Sequence, residues 1–243
     1  MYGKQSNIKD DSSDYHIYYP CPLQELPPIG NDIPPEGCLC VSIDPAIATF
    51  AFRIERRYAN SHVETICMDK LDFKNYDNTN KSSGSTRIDP RILTDVLAYL
   101  NRMLPYMLDA RIIVIERQLS VNYKATRIFQ HILTFFMMTA PTFNHSCVVM
   151  DILTKVKGKV LGAPKNLNYN GLKAWGIEKA IQLLEWRNDQ FALDVIKYHK
   201  GKSKTKADDL ADTVIQIEAW FILVNGVHTS TPANGPFINV LTQ

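Results

Sequence analysis

The segment KADDLAD, residues 206–212, places three carboxylates within five positions: Asp208, Asp209 and Asp212. An apolar run follows at once, so the acids open a helix. Negative charge at a helix start is favoured by the helix dipole, and Asp208 or Asp209 could serve as a cap. Three acids exceed what a cap requires. Asp209 and Asp212 are three apart and share a helix face, as do Asp208 and Asp212, four apart. Two more acids end short apolar runs: Asp44 after CLCVSI and Glu116 after RIIVI. Carboxylates at strand ends lie where ligands gather in open α/β sheets.

Each acid also has a plain structural reading. Asp44 precedes Pro45 and could be a turn residue. Glu116 could pair on a surface with Arg117 or Lys124. Together, converging carboxylates repel one another unless a cation neutralises them, and hard oxygen ligands suit Mg²⁺ or Mn²⁺. Two such ions can activate a water and stabilise the leaving oxygen of a phosphodiester. The sequence has no GxSxG, Walker A or HExxH motif that would direct the chemistry elsewhere.

These residues need a scaffold, and the chain supplies one. It has 243 residues, 45% hydrophobic and 21% charged, which is ordinary for a globular protein with one sizeable core. The first 37 residues are polar and then proline-rich, which predicts a flexible extended arm. Residues 38–225 read as one domain and 226–243 as an irregular tail. Within the domain, CLCVSI, TFAFRIE and VETICMDKLDF predict three consecutive antiparallel strands. A polar loop, KNYDNTNKSSGST, follows. Asp89-Pro90 opens a helix to about Met107, RIIVI is a strand, Asn122 to Met138 a helix, and CVVMDI a strand. The stretch 155–171 predicts a lysine- and glycine-rich loop, Leu172 to Trp186 a helix, then a second lysine-rich loop before the last helix, Ala207 to Val224. The order predicts a mixed α/β sheet of five strands flanked by helices.

The net charge of +2 conceals an asymmetry. Residues 155–206 hold 12 Lys/Arg against 4 Asp/Glu, leaving 15 basic and 21 acidic residues elsewhere. A basic segment beside an acidic cluster suggests a polyanion partner with a cation site nearby, or else a solvated lysine-rich loop. The five cysteines, Cys21, Cys38, Cys40, Cys67 and Cys147, show no repeated spacing, and no secretory signal is visible. They read as reduced thiols in an intracellular, non-secreted protein. Cys38 and Cys40 could be half of a zinc site, but no second pair has ligand spacing. No stretch reaches the roughly 18 to 20 apolar residues of a membrane span.

The order SIDPAIATFAF, IVIERQ, KADDLAD over residues 38–225 resembles the RuvC-type Holliday junction resolvases of the ribonuclease H-like superfamily, and within them the branch of poxviruses and other large DNA viruses. IERQ and the D-D-x-x-D before an apolar helix are fairly specific; Asp-Pro alone is weak. The resemblance implies a metal-dependent enzyme that cuts four-way DNA junctions symmetrically, leaving 5′-phosphates, with two Mg²⁺ or Mn²⁺ ions per site and action as a homodimer. It assigns the ligands to Asp44, Glu116, Asp209 and Asp212, with Asp208 a further ligand or a cap. Through LKAWGIEKAIQLL it assigns an active-site lysine to Lys173, or alternatively Lys179. Such a lysine would stabilise charge on the phosphate in the transition state. Ile128, Ile132, Phe135 and Phe136 could line the dimer interface or belong to the core. Arg117, Tyr123, Lys124, Arg127, Lys155, Lys157, Lys159 and Lys165 are candidate DNA contacts. The resemblance places the protein where viral or organellar DNA is replicated, in host cytoplasm or nucleus. Ala46, Ala48 and Thr49 depart from the glycine and asparagine common after the Asp-Pro turn. A flap or RNA–DNA hybrid nuclease, or a non-catalytic junction-binding protein, fits the same sequence less completely.

Overall fold

The computed structural model describes residues 15–18, 33–73, 88–119, 121–202 and 207–225. Most of the expected arm, the polar loop after residue 73 and the tail lie outside the described residues. The strands are β1 (Tyr15–Tyr18), β2 (Cys38–Asp44), β3 (Phe50–Arg57), β4 (Val63–Leu71), β5 (Ala110–Arg117) and β6 (Val148–Leu153). The helices are α1 (Pro90–Met103), α2 (Tyr123–Thr139), α3 (Thr154–Leu161), α4 (Tyr169–Arg187), α5 (Gln190–Lys202) and α6 (Asp208–Asn225). All six strands form one sheet in the order β1-β6-β5-β2-β3-β4. β2, β3 and β4 are antiparallel, while β5 and β6 run parallel to β2. This is the expected mixed α/β sheet, three antiparallel strands followed by parallel ones, with one strand added.

The sixth strand corrects the expected count of five. β1 comes from the segment expected as an arm and pairs antiparallel with the edge strand β6. Its four residues, flanked by polar and proline-rich sequence, carry too short an alternation to announce a strand. The exposed edge of β6 supplies the missing partner.

Side-chain alternation divides the strands between two cores. Leu39, Val41, Ile43, Ile113 and Ile115 face α1 and α2, where they meet Ile92, Leu100, Ile128, Ile132 and Phe136. Cys38, Cys40, Ile112, Val114 and Met150 face α3, α4 and α6, meeting Val156, Leu184, Leu210 and Ile217. By the same parity Asp44 and Glu116 point to the α6 side. Ile43 pairs with Ile115 in the parallel register, so the next two residues along the chain, Asp44 and Glu116, are neighbours.

Two expected loops are helices. Residues 154–161 form α3, closed by Gly162 in the left-handed conformation at φ 78°. Its sequence, TKVKGKVL, has a mid-helix glycine and little apolar content, so burial of Val156, Lys157 and Leu161 holds it in place of propensity. The second lysine-rich stretch contains α5, anchored by Ala192, Leu193 and Ile196.

Of the two readings left open for the apolar residues of α2, the core one holds. Ile128, Ile132, Phe135 and Phe136 are buried within the single chain against the sheet. They belong to the core, because the apolar stripe of an amphipathic helix is used first by its own sheet.

Candidate active site

Helix α6 crosses the sheet face and is pinned to β2. The Ser42 hydroxyl donates to the Thr213 carbonyl at 2.7 Å. Gln216 Nε2 donates to Ser42 Oγ at 2.7 Å and to the Ile43 carbonyl at 3.1 Å. Asp212 lies one turn before Gln216 and is thereby held above the end of β2. Oxygen atoms of Asp44, Glu116 and Asp212 all lie within 4.8 Å of one another. Strand β2, strand β5 and helix α6 each contribute one acid.

The positive charge at the centre comes from Lys157 of α3. Its Nζ donates to Glu116 Oε2 at 2.7 Å and lies 3.0 Å from Asp212 Oδ1. Thr154, at the start of the same helix, donates its hydroxyl to the other Glu116 oxygen. Asp44 accepts a long hydrogen bond from Gln118 Nε2, 3.4 Å.

One ammonium does not balance three carboxylates. Burial, then repulsion from Glu116 and Asp212, pushes the Asp44 carboxyl well above the usual carboxylate range, against the pull of Lys157. Burial likewise raises Asp212 to about 7; Lys157 opposes the rise and Glu116 adds to it. Burial alone would lower the Lys157 pKa, but Asp212, Glu116 and Asp44 outweigh it and hold the ammonium charged. A hard divalent cation fits this group. The donors are all carboxylate oxygens, mutually close, and short of positive charge, while Asp212 keeps 28% of its side chain exposed as an entry side.

The remaining predicted residues are distributed around this core. Asp209 is not part of the three-acid group and is held by Lys70 of β4, with Nζ to Oδ2 at 2.6 Å. Asp208 is buried and paired with Lys173 of α4. Lys173, expected in the active site, is engaged by Asp208 and lies over the ring of Tyr169. Lys179 is half-buried and is influenced by Glu218, six residues beyond Asp212 on α6. The lysine among the three acids is Lys157, which the sequence placed with the DNA contacts. α3 reads as loop in the sequence, so nothing there marks residue 157 as inward-facing.

Arg117 is also committed within the fold. It donates to the buried Asp151 of β6, which accepts from the Tyr18 hydroxyl of β1 at 2.8 Å. Lys155, Lys159 and Lys165 are exposed, as are Tyr123 and Arg127, and Lys124 is partly so. Lys70 is the residue that sequence reasoning missed outright. A bulge in β4, where Ile54 pairs with Cys67 but Glu55 with Thr65, inverts the alternation and turns Lys70 to the α6 face.

No family model matches the chain. A protein of Invertebrate iridescent virus 6, "Uncharacterized protein 170L", is 29% identical over 143 residues. That match covers 51% of this chain and 56% of the viral protein, so it spans about half the length of that relative. Among solved structures, the fowlpox virus Holliday junction resolvase is similar, at 19% identity and a TM-score of 0.46, covering 76% of this chain and 99% of the other. The yeast mitochondrial Holliday junction resolvase Ydc2 is similar at 14% identity and 0.48, covering 79% and 82%. The carboxylates themselves carry the reading of the site.

Proposed function

We propose that this chain is a metal-dependent, structure-selective endonuclease that resolves four-way DNA junctions by paired, symmetric hydrolysis of phosphodiesters. The observation that carries the proposal is the convergence of Asp44, Glu116 and Asp212 around Lys157. Asp44, Glu116 and Asp212 would hold Mg²⁺ or Mn²⁺, with Asp209 completing a two-ion set. When bound, the ions supply the charge that activates a water and stabilises the leaving oxygen. Lys157 keeps Glu116 and Asp212 together and offers an ammonium at the centre of the site. Lys173 fixes Asp208, and through it the first turn of α6.

Lys155, Lys159, Lys165, Lys124, Arg127 and Tyr123 would meet the DNA backbone, which supplies most of the affinity in such complexes. Arg117, engaged by Asp151, would orient the chain beside Glu116. Two symmetric cuts call for two sites, hence a homodimer on the junction. The work belongs to recombination or repair intermediates where viral or organellar DNA replicates. Similarity to junction resolvases supports this choice among ribonuclease H-like activities.

The test is a substrate comparison at matched protein and Mn²⁺ concentration: four-way junction, flap, RNA–DNA hybrid and linear duplex. The proposal expects the junction to be cut at least about tenfold faster than the others. Equal or faster cutting of flap or hybrid would reassign the activity.

A further inference from the structure

We propose that Lys70 is a resident cation on Asp209 and controls the entry of a second divalent ion; this rests on the metal-dependent reading of the site. The pair is not a surface contact. The Lys70 and Asp209 side chains are only 8% and 16% exposed, and the ammonium lies 2.6 Å from the carboxylate. Lys70 is held from behind, because Ala51 fixes its register on β4 and the neighbouring Asp69 accepts from the Tyr99 hydroxyl of α1 at 2.7 Å. Thr49 adds a hydrogen bond to Asp209 from the turn after β2.

The two lysines near these acids therefore differ in kind. Lys157 lies among the three clustered carboxylates and bridges two of them. Lys70 holds the fourth carboxylate outside the cluster. A first ion can enter between Asp44, Glu116 and Asp212 without disturbing Lys70. A second ion that needs Asp209 must first displace the Lys70 ammonium. A DNA phosphate offers that ammonium another acceptor, so substrate and second ion would arrive together. Lys70 is thus a positioning residue acting through Asp209.

The test counts bound Mn²⁺ on the full DNA-free chain, by electron paramagnetic resonance of the free ion. Wild type should bind one ion well and a second weakly. Lys70→Met should tighten the second ion about tenfold, in line with the coupling of close buried charges. Lys70→Arg should behave as wild type, and Lys70→Met with Asp209→Asn should lose the gain. Should Lys70→Met fail to fold, Lys70→Gln carries the same expectation. Unchanged affinities in the neutral variants, or a gain that survives Asp209→Asn, would overturn the role of Lys70 and leave the metal site standing. Wild type binding no Mn²⁺ that Asp44→Asn removes would overturn both.

Discussion

Asp44 is a buried carboxylate whose nearest charges are mostly of its own sign. Glu116 and Asp212 repel it, Lys157 is shared with both, and Gln118 reaches it only at 3.4 Å. Without metal it strains the fold. Asp44→Asn should therefore stabilise the chelated protein by about 1 kcal/mol, a rise of roughly 2–4 °C in melting temperature, and abolish cutting. Mg²⁺ should raise the melting temperature of wild type more than that of the variant. Equal response of the two would remove Asp44 from the metal site. The lysines separate in the same way. Lys157→Ala leaves Glu116 and Asp212 unpaired and should cost roughly 3 kcal/mol in chelator together with activity. Lys173→Ala, half-exposed and paired with Asp208, should keep Mn²⁺ binding within about threefold of wild type. The opposite ranking would restore Lys173 to the centre. Asp44, Glu116 and Asp212 were legible because each sits at the boundary of an apolar run. Lys157 and Lys70 were not, because one lies in a helix with no sequence periodicity and the other follows a bulge.

At the level of elements, α6 is what brings the acids together. Gln216 and Ser42 set its height over β2, and Glu218 ties it to β3 and α4. Arg57 Nη1 donates to Glu218 at 2.9 Å, Arg187 donates to the same oxygen, and Glu55 bridges Arg53 and Arg57, all buried. Burial alone would raise Glu218, but Arg187 and Arg57 prevail and lower it from 4.5 to about 2. A carboxyl depressed on folding stabilises fully above its unfolded pKa. That contribution, about 3 kcal/mol, is lost as pH falls from about 4.5 towards 2. Urea unfolding at pH 7 and pH 3 should show about 2 kcal/mol of this loss in wild type and a flatter dependence in Glu218→Gln. Parallel loss in both would deny the network this role. The network was invisible in the sequence, since Arg53, Glu55 and Arg57 look like the polar positions of an exposed strand. The strands themselves were legible from their apolar runs, and α1, α2, α4 and α6 from their spacing and caps. β1 was not, because only pairing with β6 defines it.

Across the whole molecule, the sheet parity that separates two cores also puts every candidate ligand on one side. The α1–α2 side carries mainly packing, including the aliphatic and aromatic residues of α2, with Tyr123, Lys124 and Arg127 at the start of that helix turned outward. The α3–α6 side carries the acids, Lys157, Lys70 and the exposed lysines of α3. Of the basic residues in the described part of segment 155–206, Lys157 lies among the acids, while Lys155 and Lys159 of the same helix are exposed. Among the described residues no helix is long and apolar enough to cross a membrane. The most direct test of the account is a labelled four-way junction incubated with the protein in Mn²⁺ or Mg²⁺, beside Asp44→Asn and Asp212→Asn. The account predicts paired nicks at symmetric positions by wild type, and junction binding without nicks by both variants. Cutting by either variant, or tight binding with no cleavage by wild type in either metal, would contradict it.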